Sequence, residues 1–201
     1  MPDAPSRSRW RDHALILGHF VRRPGSIGTV APSSARLARQ MVHALQPSRT
    51  QTVVELGPGT GAFTAAILPR LGPAGRLLAV EIEPLFVEQL RAKYPSVDVA
   101  CASAERLREL MRERGLGQVD HIVSGLPFAS LPPAVSRRVL DAVQHVLRPG
   151  GTFTTFQYVH AYAVPRAVHF RRDVTNRMSR GPTRSLVVWN IPPAFVLCWR
   201  R

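Results

Sequence analysis

Short apolar runs recur along this chain, and most are followed by a stretch that reads as a helix. The runs fall at 52–56, 76–81, 97–101, 121–124 and 152–158. Helical stretches follow at 60–71, 84–94, 105–114 and 134–147, with Pro84 suited to a first helical turn. Such regular alternation predicts a parallel sheet with helices on both faces. The last third is different: a basic helix at 166–178 precedes two runs, 185–190 and 195–199, joined by Pro192-Pro193. These are predicted to be a terminal strand pair, the second antiparallel to the sheet. Pro149-Gly150-Gly151 is expected to break the helix before the fifth strand.

Two helices are expected before the sheet. In 7–23, Trp10, Ala14, Leu17 and Val21 share one face, and Arg9, Arg11, Arg22 and Arg23 lie around the rest. Such a helix either lies in a membrane interface or packs its apolar face on a core. Leu15 and Ile16 fall off the main face and would leave apolar area uncovered on a monomer. The second helix, capped by Ser33 or Ser34, runs to about Leu45 with Leu37, Met41 and Leu45 inward. The expected fold is α/β: a Rossmann-like, doubly wound sheet, mostly parallel with an antiparallel last strand. It is read as one domain over 1–201, with a helical cap at 1–46 and the core at 52–201.

With 201 residues, 45% hydrophobic, the chain can bury a sizeable core. No run is long and uncharged enough to span a bilayer, and the N-terminus lacks the pattern of a secretory leader. Cys101 and Cys198 have no metal-ligand spacing and are expected to be buried thiols in a reducing cytoplasm. Charge changes the picture more. Lys+Arg number 27 against 13 Asp+Glu, a formal net of +14, and Lys93 is the only lysine. A chain this basic is drawn to polyanions, either nucleic acid or an anionic membrane surface, and composition does not choose between them.

The chemistry concentrates where the first strand ends, in Val53-Val54-Glu55-Leu56-Gly57-Pro58-Gly59-Thr60-Gly61. Alternating glycines let the backbone turn sharply and approach a ligand closely. Strand, glycine turn and helix together make a nucleotide-type site at the carboxyl edge of a parallel sheet. The turn lacks the Lys-Ser/Thr ending of a phosphate-gripping loop, and Glu55 would repel a pyrophosphate. Glu81, closing the second strand, is a natural acceptor for ribose hydroxyls. Carboxylates beside the glycines suit a ligand with a cationic amino-acid end and no phosphate, such as S-adenosylmethionine. The competing reading is an ordinary strand-to-helix turn.

The stretch 53–61 with Glu81 resembles the first two motifs of the Rossmann-like, class I methyltransferases. The resemblance implies that Glu55, Gly57, Gly59 and Gly61 line the amino-acid part of the cofactor and Glu81 the ribose. Thr60, Ile82, Ser124 and Leu126 join them as cofactor-binding positions. Ser103 and Ala104 stand where the family often carries an acid for the adenine amino group. Serine accepts a hydrogen bond there without charge, and its other reading is a helix cap.

Four further stretches narrow the resemblance. They are Arg23-Pro24-Gly25-Ser26-Ile27-Gly28 with Ala31-Pro32-Ser33-Ser34; Ser124-Gly125-Leu126-Pro127-Phe128; 147–151; and Asn190-Ile191-Pro192-Pro193-Ala194. From about Arg22 onward the chain resembles the bacterial phospholipid N-methyltransferases, distant relatives of the ribosomal RNA adenine dimethylases. Phe128 departs from the usual Trp. Gly125 stands where base-methylating relatives carry Asn or Asp, and its small size is expected to leave room.

The resemblance implies stepwise methylation of the phosphatidylethanolamine headgroup. The enzyme would be monomeric, metal-free and peripheral to the inner face of the cell membrane, docked on anionic lipid through its N-terminal helix. Phe128 and Tyr158 are expected to offer ring faces to the forming alkylammonium, with core packing as the alternative. Ser33 and Arg177 are further substrate candidates. Tyr158 and Ser124 are the candidates for taking the amine proton, since no His or carboxylate in the expected site is a convincing base. The competing functions are an rRNA or other nucleic-acid adenine N6-methyltransferase, a small-molecule methyltransferase, and a basic binding protein with a vestigial cofactor site. If 7–23 is an interface anchor, Trp10→Ala with Leu17→Ala should weaken vesicle binding and leave cofactor binding intact. Unchanged vesicle binding, measured by co-sedimentation, would mean that the face packs on the core.

Overall fold

The computed structural model describes residues 34–46 and 51–201. The expected helix at 7–23, its membrane contact and Ser33 lie outside the described residues. The chain enters at α1 (Ala35–Met41), where Ser34 Oγ accepts the Leu37 N–H at 3.2 Å. Leu37, Met41 and Leu45 are buried, as their spacing predicts. The core then alternates. β1 (Thr52–Leu56) leads to α2 (Ala62–Ile67), and β2 (Arg76–Glu81) to α3 (Pro84–Lys93). β3 (Asp98–Cys101) leads to α4 (Leu107–Glu113), and β4 (Val119–Ser124) to α5 (Pro133–Val146). β5 (Leu147–Tyr158), α6 (Pro165–Arg177), β6 (Thr183–Val187) and β7 (Ala194–Arg200) complete the order.

The strands form one sheet in the order β3-β2-β1-β4-β5-β7-β6. β1 to β5 run parallel, and β7 is antiparallel to both β5 and β6. This is the expected doubly wound α/β sheet with an antiparallel last strand. Helices α1, α2 and α3 cover one face, where Leu37, Phe63 and Leu90 pack with Val53, Ala79 and Val123. On the other face Phe170 of α6 stacks on Phe128 at 4.4 Å and meets Trp199 edge-on at 6.2 Å. Phe153 of β5 lies against both Phe128 and Trp199. The buried indole keeps a partner, donating from Nε1 to Thr175 Oγ1 at 3.0 Å.

Three expectations are corrected. First, β5 begins at Leu147, before Pro149-Gly150-Gly151 rather than after it. Val119 pairs with Leu147 and His121 with Thr152, so the extra residues are absorbed in a bulge. Gly150, at φ 77°, donates to the Arg201 carbonyl at 2.8 Å, which keeps the ladder closed there. Second, β6 ends at Val187. The residues after it leave the sheet, with Trp189 75% and Ile191 85% exposed. Pro192 and Pro193 have no N–H to offer a ladder, so pairing resumes only at Ala194. Third, Cys101 is exposed and Cys198 half-buried. Cys101 ends β3, an edge strand, where one side has no neighbour. Among the described residues no helix is long and apolar enough to cross a membrane.

The carboxyl ends of the strands are tied into one rim by backbone bonds that continue past them. Gly57 donates to the Val80 carbonyl at 2.9 Å, Gly125 to Leu56 at 2.8 Å, and Ala102 to Glu81 at 2.8 Å. The loop after β4 comes so near the glycine turn that a Cβ on Gly125 would sit 2.6 Å from the Gly57 carbonyl oxygen. Backbone cannot give way as a flexible side chain does. Gly125 is therefore small for the sake of the rim. Gly125→Ala should cost about 1–3 kcal/mol in denaturant unfolding. Gly117→Ala, with nothing within 4 Å of its Cβ position, should stay within about 0.5 kcal/mol. Equal effects would contradict the close approach.

Candidate functional site

The glycine turn takes positive φ at all three glycines: 69° at Gly57, 54° at Gly59 and 83° at Gly61. Leu126 from the β4 loop lies over Gly57, and Tyr94 with Leu90 from α3 lies under Gly61. Gly59, the apex, has nothing within 4 Å of its Cβ position. Thr60 beside it is exposed. The turn is thus anchored at both ends and bare in the middle.

Two acids flank it. Glu55 has no solvent exposure. Its Oε2 accepts the Thr64 hydroxyl at 2.6 Å, and its Oε1 has no partner. Burial pushes its pKa up to about 8; the Thr64 hydrogen bond opposes this and the charge of Glu81 adds to it. Glu81 is also buried, but three backbone N–H groups meet it: Gly59 at 3.0 Å, Ile82 at 2.7 Å and Glu83 at 3.0 Å. Burial raises its pKa as well, moderated by those donors. Glu55 is opposite Ala79 in the ladder, so Glu55 and Glu81 point to the same side of the sheet. The structure therefore brings Glu55, Gly57, Gly59, Thr60, Gly61, Glu81, Ile82 and Leu126 to one stretch of rim.

The other expected residues divide. Ser103 Oγ accepts the Glu105 N–H at 3.3 Å and donates to the Glu105 carboxylate at 3.1 Å. It caps the short 3₁₀ turn that Ala104 begins, and Glu105 is in turn paired with Arg138. Ser124 is fully buried, with Oγ accepting the Leu126 N–H at 3.3 Å, so its hydroxyl serves its own loop. Tyr158 shares the face of Glu55 by register and is half-buried. Its ring stacks on His160 at 5.6 Å and meets Phe156 edge-on at 5.4 Å. Burial raises its pKa, so the phenol keeps its proton at neutral pH and is a poor base.

Two substrate candidates are corrected. Phe128 is 6% exposed and its face is covered by Phe170, which leaves no open ring for an ammonium. Arg177 pairs with Asp141 and Asp173 at the end of α6. Ser179, two residues on, bonds to Arg200, which pairs with Thr152 low on β5, so Arg177 lies at the edge opposite the glycine turn. Sequence reasoning missed Thr64, which donates to Glu55, although a hydroxyl in the helix after a glycine turn was a readable hint. It also missed what Asn190 does. Its Oδ1 accepts the Ser34 N–H at 3.1 Å and its Nδ2 donates to the Pro192 carbonyl at 2.7 Å, fastening the start of α1 to the β6–β7 turn.

Comparison with known proteins adds four likenesses. The family described as "Methyltransferase domain" matches residues 53–151. The ornithine lipid N-methyltransferase of Singulisphaera acidiphila is 36% identical over 146 residues, 71% of this chain and 76% of that protein. A ribosomal RNA small subunit methyltransferase A from a Burkholderia species is 28% identical over 181 residues, 90% of this chain and 64% of that one. In structure, the O-methyltransferase from Bacillus cereus solved in complex with SAH aligns with a TM-score of 0.67 at 15% identity. That alignment covers 98% of this chain and 92% of that one, and speaks for the fold.

The state of Glu55 is testable without a ligand. The folded protein holds a proton that the unfolded chain releases above about pH 4.5. Stability should therefore fall as pH rises from 4.5 to about 8, by up to about 1.4 kcal/mol per pH unit for one group. Glu81 acts in the same direction. Glu55→Gln keeps an acceptor for Thr64 and should flatten the slope in urea titrations at pH 5, 6.5 and 8. Parallel pH profiles for the two proteins would contradict a buried, protonated Glu55.

Proposed function

Because the chain belongs to the class I S-adenosylmethionine-dependent methyltransferases, we propose that its acceptor is the amine of a lipid headgroup, methylated at an anionic membrane surface. The likeness to the ornithine lipid enzyme carries this choice of acceptor. The geometry at Gly125 supports it. Enzymes that methylate base amines hold the amine with a polar side chain at that position, and here any side chain would strike the Gly57 carbonyl. Phosphatidylethanolamine is the finer proposal, from the sequence motifs; an ornithine headgroup offers the same kind of nitrogen.

The residues present suit the cofactor. An unpartnered, buried carboxyl oxygen costs free energy unless a ligand supplies a donor, and the ammonium of an amino-acid end is such a donor. We assign Glu55 Oε1 to it. Glu81, held beside the bare Gly59, is assigned to the ribose hydroxyls, with Ile82, Ser103 and Ala104 bordering the base. When bound, S-adenosylmethionine supplies an electrophilic methyl carbon on a sulfonium centre. The chain contributes alignment of the amine and exclusion of water. Neither Tyr158 nor Ser124 is placed to take the amine proton, which leaves it to solvent or to the exposed His160 beside Tyr158.

The second reading is a ribosomal RNA adenine methyltransferase. Net charge and the Burkholderia relative favour it. The two are separated by supplying labelled methyl donor with phosphatidylethanolamine vesicles, ornithine lipid vesicles or ribosomal RNA. Label should enter a lipid amine. Label in RNA and in neither lipid would overturn the proposal, and label in ornithine lipid alone would fix the headgroup within it.

A further inference from the structure

Most cations in the described residues have no ion pair, and two of them are set apart by their surroundings. The ion pairs there are made by Arg106, Arg114, Arg138, Arg148 and Arg177; Arg171 and Arg184 make none. Yet both are gathered on one aromatic ring. The Arg171 guanidinium lies 3.7 Å from the centroid of Tyr162, and that of Arg184 lies 5.8 Å from the same ring and 5.3 Å from Phe195. Tyr162 and Phe195 pack at 4.6 Å. Arg171 Nη1 is fixed by the Gln157 Oε1 and the Tyr162 carbonyl, each at 2.7 Å. Arg184 Nη1 donates to the Tyr162 hydroxyl at 3.4 Å.

Two like charges on one ring repel, and cation–π attraction offsets this only in part. A second observation points the same way. Gln157 is 7% exposed, and while its oxygen serves Arg171, its Nε2 has no acceptor. An oxyanion at this place relieves the repulsion and accepts from the orphaned N–H at once. A neutral ligand does only the second, and a cation does neither.

The surroundings indicate what carries the anion. Gln157 stands opposite Phe195 in the ladder, and Phe195 opposite Leu186, which is 53% exposed. Val159 and Val164, at the ends of the turn that bears Tyr162, are exposed too. Positive charge bordered by bare apolar side chains fits an amphiphile. The group lies at the carboxyl edge of β5, two strands from the glycine turn, a span of roughly 10 Å. Gln157 points to the face opposite Glu55 and Tyr158, so the two sites lie on either side of the sheet, near the same carboxyl edge.

We propose that Arg171, Arg184 and Gln157, assembled on the Tyr162 ring, bind an oxyanion of the acceptor lipid: its phosphodiester or its carboxylate. This deepens the lipid reading and rests on it for the rest of the ligand, but its test needs no methyl transfer. Dihexanoyl phosphatidylethanolamine, dihexanoyl glycerol and inorganic phosphate would each be titrated into the full chain by calorimetry. The proteins compared would be the wild type, Arg184→Gln, Arg171→Gln, Arg171→Lys and, as a charge-matched control, Arg180→Gln.

Arg184→Gln should weaken the ethanolamine lipid about tenfold or more, while Arg180→Gln changes it by less than about twofold. Dihexanoyl glycerol, with no anion, should be insensitive to both. The S-adenosylhomocysteine affinity should match the wild type in every variant. Inorganic phosphate bound and lost in step with the lipid shows that the anion alone is read; phosphate unbound while the lipid stays sensitive to Arg184 shows that the headgroup is needed, and either result supports the site. Arg171 also holds the backbone at Tyr162, so Arg171→Lys, which keeps the charge, should bind better than Arg171→Gln. If Arg171→Gln fails to fold, Arg184→Gln decides. Wild-type binding by Arg184→Gln, or an equal loss in Arg180→Gln, would overturn the proposal. A lipid that binds through Arg184 yet accepts no methyl group would instead overturn the assigned reaction and leave this site standing.

Discussion

A carboxyl group buried at the end of the central strand, with one oxygen left without a partner, is the constraint on which the site depends. β1 lies between β2 and β4, and Glu55 is fully buried at its end. Thr64 satisfies one oxygen only. Folding tolerates this by keeping the acid protonated, at a cost in stability that grows as the pH rises. Such a cost in a mostly apolar core is characteristic of a position kept for a ligand. On the proposed reading, the cation that answers it would be the amino-acid end of the cofactor.

The rest of the rim follows from keeping the turn beside Glu55 open. Backbone bonds from Gly57 to β2 and from Gly125 to β1 lock the loops, so the position of the apex at Gly59 is set by the sheet. Gly125 has no Cβ because the Gly57 carbonyl occupies that space. Charge is then sorted along the edge. The acids Glu55 and Glu81 sit at β1 and β2, and the unpaired arginines Arg171 and Arg184 sit beyond β5. A cationic donor at one end and an anionic headgroup at the other would be drawn to different stretches of one rim, which orients the transfer.

Much of this was legible in the sequence because the governing signals are local. Glycines at alternating positions after an apolar run specify a turn, and Ser103 before a 3₁₀ turn specifies a cap. What was not legible depends on partners far along the chain. Phe128 reads like an open ring until Phe170 is found stacked on it. Arg177 reads like a substrate contact until Asp141 and Asp173 claim it. The run at 185–190 has the composition of a strand, but the two prolines after it deny the ladder its donors and turn Trp189 and Ile191 outward. Glu55 was readable as an acid near glycines. Its missing partner was not, because burial on both faces is a property of the sheet.

On the proposed reading this buried carboxyl ionises to meet the cofactor's ammonium. Titrating S-adenosylmethionine calorimetrically at pH 7, in two buffers of different ionisation enthalpy, counts the protons released on binding. The wild type should release about one proton per site and Glu55→Gln almost none. Equal proton release by the two proteins, or none by the wild type, would contradict it.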